Sequence, residues 1–366
     1  MTTETAENIV TELKEKKFAN WYNKNYKLLL LIPLILIILS LAQLAIFYQQ
    51  NNDFILKDVS LTGGISITIF PEQEINLNEL RTHLEKTQED FAIRELSDFR
   101  SGNQKAVVIE SPIEPEEVGT LKSEITDFLN YELTNENSSI ESTGSTLSQS
   151  FYTQLLYAII LSFSFMSLVV LFIFGSGRKL KLTLTAIIII PAILFFAGRL
   201  PINLAIISGI LALLINLGFY FKYSIPSAAV VISAFADILM TLALVNFLEI
   251  KLSTAGIVAF LMLIGYSVDS DIMLTTRLLK RHGNVNKNLA GAFKTGITMT
   301  LTSIVAITTA LIITQSFSLI LKQIFTILLI GLIFDIPNTW ITNASILKWY
   351  MDSKEGKIKW TGKYGS

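Results

Sequence analysis

Acidic side chains occur inside stretches of this sequence that are otherwise apolar. Asp237 lies in AVVISAFADILMTLAL, and Asp269 and Asp271 lie in LMLIGYSVDSDIML. A charged side chain at the centre of a membrane helix costs about 2.5–3.5 kcal/mol by insertion measurements. A carboxyl group in that position needs a partner, a water-filled cavity or a bound proton. Acids so placed are therefore suited to proton relay.

Three further residues bear on that chemistry. Asp335 lies in GLIFDIPNTW, Lys294 begins another apolar run, and Arg277 flanks a basic cluster. Asp269 and Asp271 are about 200° apart on a regular helix, so one faces a bundle interior and the other faces elsewhere. Asp269 and Arg277 share a face. Two interpretations stay open, a relay through the acids or a static ion pair of Asp269 with Lys294 or Arg277.

Small and hydroxylated residues accompany the acids. Gly265, Ser267 and Ser270 favour either close contact with another helix or local unwinding of this one. Hydroxyl groups beside carboxylates also allow a sodium site. The hydroxyls in question belong to Ser267, Ser270, Thr275 and Thr276. The sequence thus favours a proton as the transported ion and leaves sodium open.

Composition indicates a membrane protein. Hydrophobic residues make up 51% of the chain and charged residues 16%, against about 25% charged in soluble domains. The chain contains no cysteine and two histidines, which exclude a thiolate metal site and disfavour a histidine-based one. It also lacks nucleotide-binding and metalloprotease motifs. We therefore expect no enzyme activity, no cofactor, no metal and no nucleic-acid partner.

Eight apolar segments can be drawn, at 28–48, 151–174, 182–198, 202–221, 225–245, 253–275, 294–315 and 319–346. The first is too long for the apolar core of a signal peptide and predicts a retained anchor. The third is short and contains Pro191, so a re-entrant hairpin is an alternative there. Basic residues concentrate in alternate connections, and short basic loops stay in the cytoplasm. Eight crossings with both termini cytoplasmic, in a multi-pass protein of the cell membrane, fit this pattern.

The predicted units follow from these segments. They are a cytoplasmic N-terminal segment 1–27, a first transmembrane helix 28–48, an extracytoplasmic domain 49–150, a helix bundle 151–346 of about seven spans, and a cytoplasmic tail 347–366. In the outer domain, GGISITIF alternates like a strand and NLNELRTHLEKTQ reads as a helix with a capping asparagine. The complete order is β-α-β-β-α-β, which predicts an α+β ferredoxin-like domain.

Three motifs together resemble the SecF family of the RND superfamily, in its archaeal form. They are LTGGISITI after the first span, SAFADILMTLAL, and LMLIGYSVDSDIMLTTRLLK. The resemblance implies an RND-like half-bundle that assists protein export by coupling ion flow to movement of the outer domain. It also implies four partners, namely a SecD-like protein, the Sec translocon channel, the translocating polypeptide and membrane lipids.

Motif by motif, the resemblance marks structural positions at Thr62, Gly63 and Gly64 and at Gly265, Tyr266 and Ser267. Asp237 matches an acid of the family. Asp269 and Asp271 flank the site where many bacterial members carry Asn-Asp, and Lys294 stands where arginine is common. Ser60 stands where many members carry an acid. The predicted ion relay comprises Asp237, Asp269, Asp271, Lys294 and Arg277.

The number of spans departs from the resemblance. Family members usually have six, so 151–198 resembles an inserted hairpin, unless 151–174 is the usual second span and the insertion follows it. Two other functions share the embedded acids. One is an RND-type exporter of small molecules or lipids, and the other is an ion-inert structural subunit.

Overall fold

The computed structural model describes Tyr22 and residues 24–88, 91–98, 101–175, 177–280, 285–315 and 318–353. Most of the predicted N-terminal segment 1–27 and part of the predicted tail 347–366 lie outside these residues. Eight helices in the described part of the chain are long and apolar enough to cross a membrane. Their number equals that of the apolar segments in the sequence.

The elements alternate between an outer domain and long apolar helices. In chain order they are α1 (Leu31–Asn51), α2 (Val59–Thr62), β1 (Gly64–Ile69), α3 (Leu77–Leu84), β2 (Ala92–Ser97), β3 (Gln104–Ser111), α4 (Val118–Leu129), β4 (Ser138–Thr143), α5 (Ser145–Phe174), α6 (Arg178–Phe196), α7 (Ile202–Tyr223), α8 (Ile225–Phe247), α9 (Thr254–Lys280), α10 (Val285–Thr314), α11 (Leu319–Pro337), a π-helix (Asn338–Asn343) and α12 (Ala344–Asp352). Eight of these, namely α1 and α5–α11, form the bundle.

Helix α8 lies at the centre of the bundle. In the most apolar 18-residue stretch of α8, 72% of the residues are buried, whereas 11% are buried in the corresponding stretches of the first span and of α10. Small side chains let neighbouring backbones approach α8 closely. They include Ser227, Ala228, Ala229, Ser233, Ala234 and Ala236, all buried. The helix that carries Asp237 is therefore the most enclosed one.

Glycines set the packing of α9, α10 and α11. A Cβ at Gly331 would lie under 3.0 Å from the Leu263 side chain, and one at Gly296 would lie under 3.0 Å from the Trp340 ring. Both positions need a hydrogen in place of a methyl group, since packed interiors do not absorb added volume cheaply. Close helix contact thus brings the polar faces of these three helices together.

The outer domain contains one antiparallel sheet in the order β2-β3-β1-β4. Ile65, Ile67 and Ile69 of β1 are fully buried and pack in one core with residues of α3 and α4. The Asn76 side chain caps α3 by accepting from the Asn78 backbone N–H at 3.1 Å. The predicted ferredoxin-like α+β fold is confirmed.

The opposite face of the sheet faces the bundle and carries polar side chains on β1 beside apolar ones at Leu96, Ala106 and Val108. Ser66 and Thr68 of β1 lie on it, alternating with the buried isoleucines as the period of a strand requires. A cavity of about 590 Å³ separates this face from the bundle. The sheet is therefore not packed flat against the membrane helices.

Helix α6 continues through Pro191 without a break. Its 19 residues extend about 28 Å at 1.5 Å per residue, close to the thickness of the hydrocarbon layer. This length favours a complete crossing over the re-entrant alternative.

Candidate functional site

Asp237 lies twelve residues into α8, at about mid-bilayer depth, and is 0% exposed. Its carboxylate accepts two hydrogen bonds. Asn338 donates from Nδ2 to Oδ1 at 2.6 Å, and Ser267 of α9 donates from Oγ to Oδ2. Both donors come from other elements, so Asp237 joins α8 to α9 and to the π-helix.

Asp335 lies near the end of α11 and is also fully buried. Thr339 donates to its Oδ1 at 3.0 Å, and Thr300 of α10 lies 3.5 Å from its Oδ2. The hydroxyls of Ser267 and Ser270 lie near this carboxyl without a hydrogen bond of normal geometry to it. Ser267, whose hydroxyl bonds to Asp237, is therefore close to both carboxyls.

Asp271 of α9 is the third fully buried acid. Asn343 donates from Nδ2 to its Oδ1 at 2.8 Å. The hydroxyls of Ser233 and Thr339 face the same carboxyl, yet Oδ2 has no hydrogen bond of normal geometry. An unbonded oxygen on a buried carboxyl is costly unless that group carries a proton or changes partner.

The six-residue π-helix supplies three donors to this group of acids, one to each carboxyl. Asn338, Thr339 and Asn343 all belong to it and all are buried. Pro337 precedes it and has no backbone N–H, so a regular helical hydrogen bond is lost there. Short π-helical segments within α-helices are frequent at functional sites. This wider turn directs both amide side chains toward carboxyls.

We call Asp237, Asp271 and Asp335 the carboxyl cluster. None of the four ion pairs among the described residues involves a member of it. No group of three acidic or histidine side chains in the same residues has metal-ligand geometry. The acids thus meet through intervening hydroxyls and amides. A hydroxyl is both donor and acceptor and so is able to relay a proton between carboxyls, whereas the amides only hold the carboxyls in place.

Asp269 points away from the cluster and is exposed on the surface of α9. The expectation that Asp269 and Asp271 face opposite ways is met. Lys294 is likewise exposed on α10. Neither forms an ion pair within the described residues, so no static pair of Asp269 with Lys294 or Arg277 is present there.

Arg277 holds α9 to α10. It donates to the Gly291 carbonyl oxygen at 2.7 Å and to Thr295 Oγ1 at 2.8 Å. Its predicted place in the ion relay stays a prediction, because these partners are neutral groups at the end of the bundle remote from the outer domain.

Gly265 and Tyr266 lie on the same exposed surface as Asp269, whereas Ser267 and Ser270 are buried against neighbouring elements. Helix α9 is continuous through Gly265, so the alternative of local unwinding at that residue is wrong. The unwound turn lies in the last span instead. Nothing among the described residues lies within 4 Å of a Cβ at Gly265, so its close contact with another helix stays a prediction.

Thr62, Gly63 and Gly64 form the junction between the first span and the sheet. Thr62 Oγ1 donates to the Asp58 carbonyl oxygen at 3.2 Å and ends α2. Gly63 and Gly64 have φ of +90° and +134°, a region that side chains disfavour. A Cβ on Gly63 would meet the backbone of Ser145 at the start of α5.

Sequence reasoning overlooked the two amides, and it noted Asp335 without giving it a place in the relay. The signal was available in DIPNTWITN, which places polar residues in an otherwise apolar span. Their side chains are turned to one side by the π-helix, and no local pattern specifies that turn.

Comparison with known proteins identifies the chain's relatives. A family profile described as "Protein export membrane protein SecD/SecF, C-terminal" matches residues 201–353. The protein-export membrane protein SecF of Methanocaldococcus jannaschii is 34% identical over 339 residues, covering 91% of this chain and 99% of that protein. SecF of Methanolacinia petrolearia is 50% identical over 141 residues, covering 37% of this chain and 49% of that protein.

The fold has a counterpart among solved structures. The crystal structure of SecDF, a translocon-associated membrane protein from Thermus thermophilus, matches with a TM-score of 0.58 at 14% identity. The match covers 90% of this chain and 38% of that one. The relatives named here are export membrane subunits, and none is named as an enzyme. Given an archaeal relative 34% identical along nearly its whole length, this multi-pass membrane protein belongs to the SecF family of protein-export membrane proteins.

Proposed function

We propose that this chain is an ion-coupled subunit of the Sec export machinery. It assists polypeptide translocation across the cell membrane by coupling proton or sodium flow to movement of its outer domain, with both termini in the cytoplasm. A SecD-like protein and the Sec channel are its partners. The supporting observation is the carboxyl cluster, three buried acids from three helices with no basic partner among the described residues.

The argument for ion coupling is energetic. Removing an ionised carboxylate from water costs several kcal/mol in real proteins. Three uncompensated charges in one interior would multiply that cost, whereas bound protons remove it. A cluster that exchanges protons changes its internal charge and its hydrogen bonds together, because each carboxyl switches from acceptor to donor. Such a change is able to alter how α8, α9 and α11 pack.

The surface that carries Asp269 and Lys294 is the proposed contact with the SecD-like partner. Both side chains are exposed on the outside of the bundle, Asp269 on α9 beside Tyr266, which is 42% exposed, and Lys294 on α10. A charged residue facing lipid costs about 2.5–3.5 kcal/mol, so helices of a second subunit are the stable neighbour. The match covers 38% of the solved SecDF chain. The remainder of that chain has no counterpart here, and a second subunit would supply it. Lipid covers the apolar faces, such as that of α1.

Co-purification tests this surface. Replacing Asp269 and Lys294 together with leucine is expected to reduce recovery of the SecD-like protein roughly tenfold, since interhelical polar contacts contribute about 1–2 kcal/mol. The reason is loss of polar pairing across the interface. Recovery is measured by quantitative mass spectrometry after purification in mild detergent.

The matched control is Ile207→Ala on α7, at a side chain that is 59% exposed and on another face. It should leave recovery unchanged. Equal recovery from the leucine double variant and the parent chain would contradict the assignment of this surface.

A further inference from the structure

The turn joining α8 to α9, residues 248–253, is bonded to the segment that follows the first span. The Leu252 backbone N–H donates to the Leu56 carbonyl oxygen at 2.6 Å, and the Asp58 N–H donates to the Leu252 carbonyl oxygen at 2.9 Å. These paired backbone bonds resemble a strand pairing and are stiffer than side-chain contacts. The turn therefore moves with the start of the outer domain.

Helix α11 is bonded to the same turn. The Gln323 side chain donates from Nε2 to the Lys251 carbonyl oxygen. Its Oε1 accepts from the Ser253 backbone N–H and from the Ser253 hydroxyl. Asp335 lies twelve residues further along α11, about 18 Å away. All three helices that carry the carboxyl cluster thus meet at residues 248–253.

One side chain of the turn reaches the sheet. Lys251 Nζ lies 3.4 Å from Glu110 Oε2 of β3. Glu110 is 4% exposed and is also bound by Arg94 of β2 at 2.7 Å. Of the four ion pairs among the described residues, Lys251–Glu110 is the one that joins the sheet to the helix bundle.

We propose that the Lys251–Glu110 pair is the coupling contact through which the carboxyl cluster and the outer domain influence each other's position. This inference rests on the proposed ion coupling and adds two positioning residues to it. Neither residue touches the transported ion. Their role is to transfer a shift of α8, α9 and α11 to the centre of the sheet.

The surrounding space supports such a role. The segment before β1 is fixed to the bundle, since Leu61 of α2 is buried in one core with Val245 and Leu252. The cavity of about 590 Å³ leaves much of the sheet face itself without packing against the helices. Across that cavity, the apolar contact of Leu319 with Leu96, Ala106 and Val108 and the Lys251–Glu110 pair join the sheet to the bundle.

The Lys251–Glu110 contact is expected to depend on pH. Burial, and then the negative charge of Asp58, raise the pKa of Glu110 above its ordinary value of 4.5, while Arg94 and Lys251 oppose that rise. Other charged groups line the same cavity, namely Glu95, Glu141, Glu249 and Lys322. Ionised Glu110 is needed for the pair, so the pair forms above the raised pKa and is lost as pH falls through it.

The contribution of Glu110 to folding stability depends on pH in the opposite direction. Because the folded pKa exceeds the unfolded one, the contribution of Glu110 to stability is fully present below the unfolded pKa and is lost as pH rises through the folded pKa. Glu110→Gln should remove both dependences. A pH titration of the distance described next, for the parent and for this variant, measures the first of them.

Spin labels give a direct test, since the chain has no native cysteine. Cysteines at Ser123 on α4 and at Arg199 between α6 and α7, both exposed, report the distance from outer domain to bundle in the full-length chain in nanodiscs. Lys251→Gln is expected to broaden and shift that distance distribution. Lys251→Arg, which keeps the charge, should restore it.

The matched control is Lys105→Gln, which removes the Lys105–Asp98 ion pair within the outer domain and should leave the distance unchanged. A distribution unaffected by both Lys251→Gln and Glu110→Gln would overturn the proposed contact.

Coupling is tested by adding Asp237→Asn. This change should shift the distance in the parent and have a much smaller effect when Lys251→Gln is present. Equal shifts in the two backgrounds would overturn the proposal. The spin-label distances are measured independently of export. If the acid variants exported normally while the distances still showed the expected dependence on Lys251, the ion-coupled function would be refuted and the coupling contact would stand.

Discussion

Replacing Asp237 with asparagine is expected to reduce ion-driven export and ion flux on the order of a hundredfold, the lower range for loss of a positioned proton carrier. Asparagine is nearly isosteric with aspartate. It can still accept from Asn338 and pair with Ser267, the two partners of the native carboxylate. The fold should therefore persist while the site loses its exchangeable proton.

Ion flux into proteoliposomes and export by the same purified complex measure this effect. Asp127→Asn, at an exposed position of α4, is the matched control and should behave like the parent. Asp271→Asn and Asp335→Asn are expected to resemble Asp237→Asn. Full flux and export in all three cluster variants would refute ion coupling and leave the ion-inert structural subunit as the function.

Replacing Gly64 with alanine is expected to destabilise the outer domain by roughly 2–4 kcal/mol, combining a strained backbone with an added atom in a packed site. Gly64 has φ of +134°. A Cβ there would lie under 3.0 Å from the Ser111 carbonyl oxygen, a backbone atom of β3 that cannot turn aside. The pairing of β1 with β3 should weaken as a result.

Hydrogen exchange of the β1 and β3 amides measures that loss, at about tenfold faster exchange for each 1.4 kcal/mol. Gly119→Ala in α4 is the control, because nothing lies within 4 Å of its Cβ position and helices favour alanine over glycine. It should leave exchange unchanged or slow it. Equal protection in the two alanine variants would contradict the backbone argument.

Local patterns in the sequence predicted most of the fold. The apolar segments and the β-α-β-β-α-β order depend on periods of a few residues, which a single chain displays directly. The spacing of Asp269 and Asp271 likewise required opposite faces. Which of the two lies inside is decided by the neighbours of α9, and the sequence of α9 alone does not contain that information.

Long-range contacts account for what the sequence did not predict. Asn338 reaches Asp237 across 101 residues, and Lys251 reaches Glu110 across 141. No spacing rule connects residues so far apart. The acids were recognisable because a carboxyl in an apolar run is costly, whereas a buried asparagine gives a much weaker signal.

The π-helix at Asn338–Asn343 gives the end of the last span a second possible register. A π-turn contains about one residue more than an α-turn, and one residue corresponds to about 100° around a helix axis. If this segment became α-helical, α12 would rotate about its own axis by that angle. Asn343 would swing away from Asp271, and α12, at the end of the bundle remote from the outer domain, would turn with it.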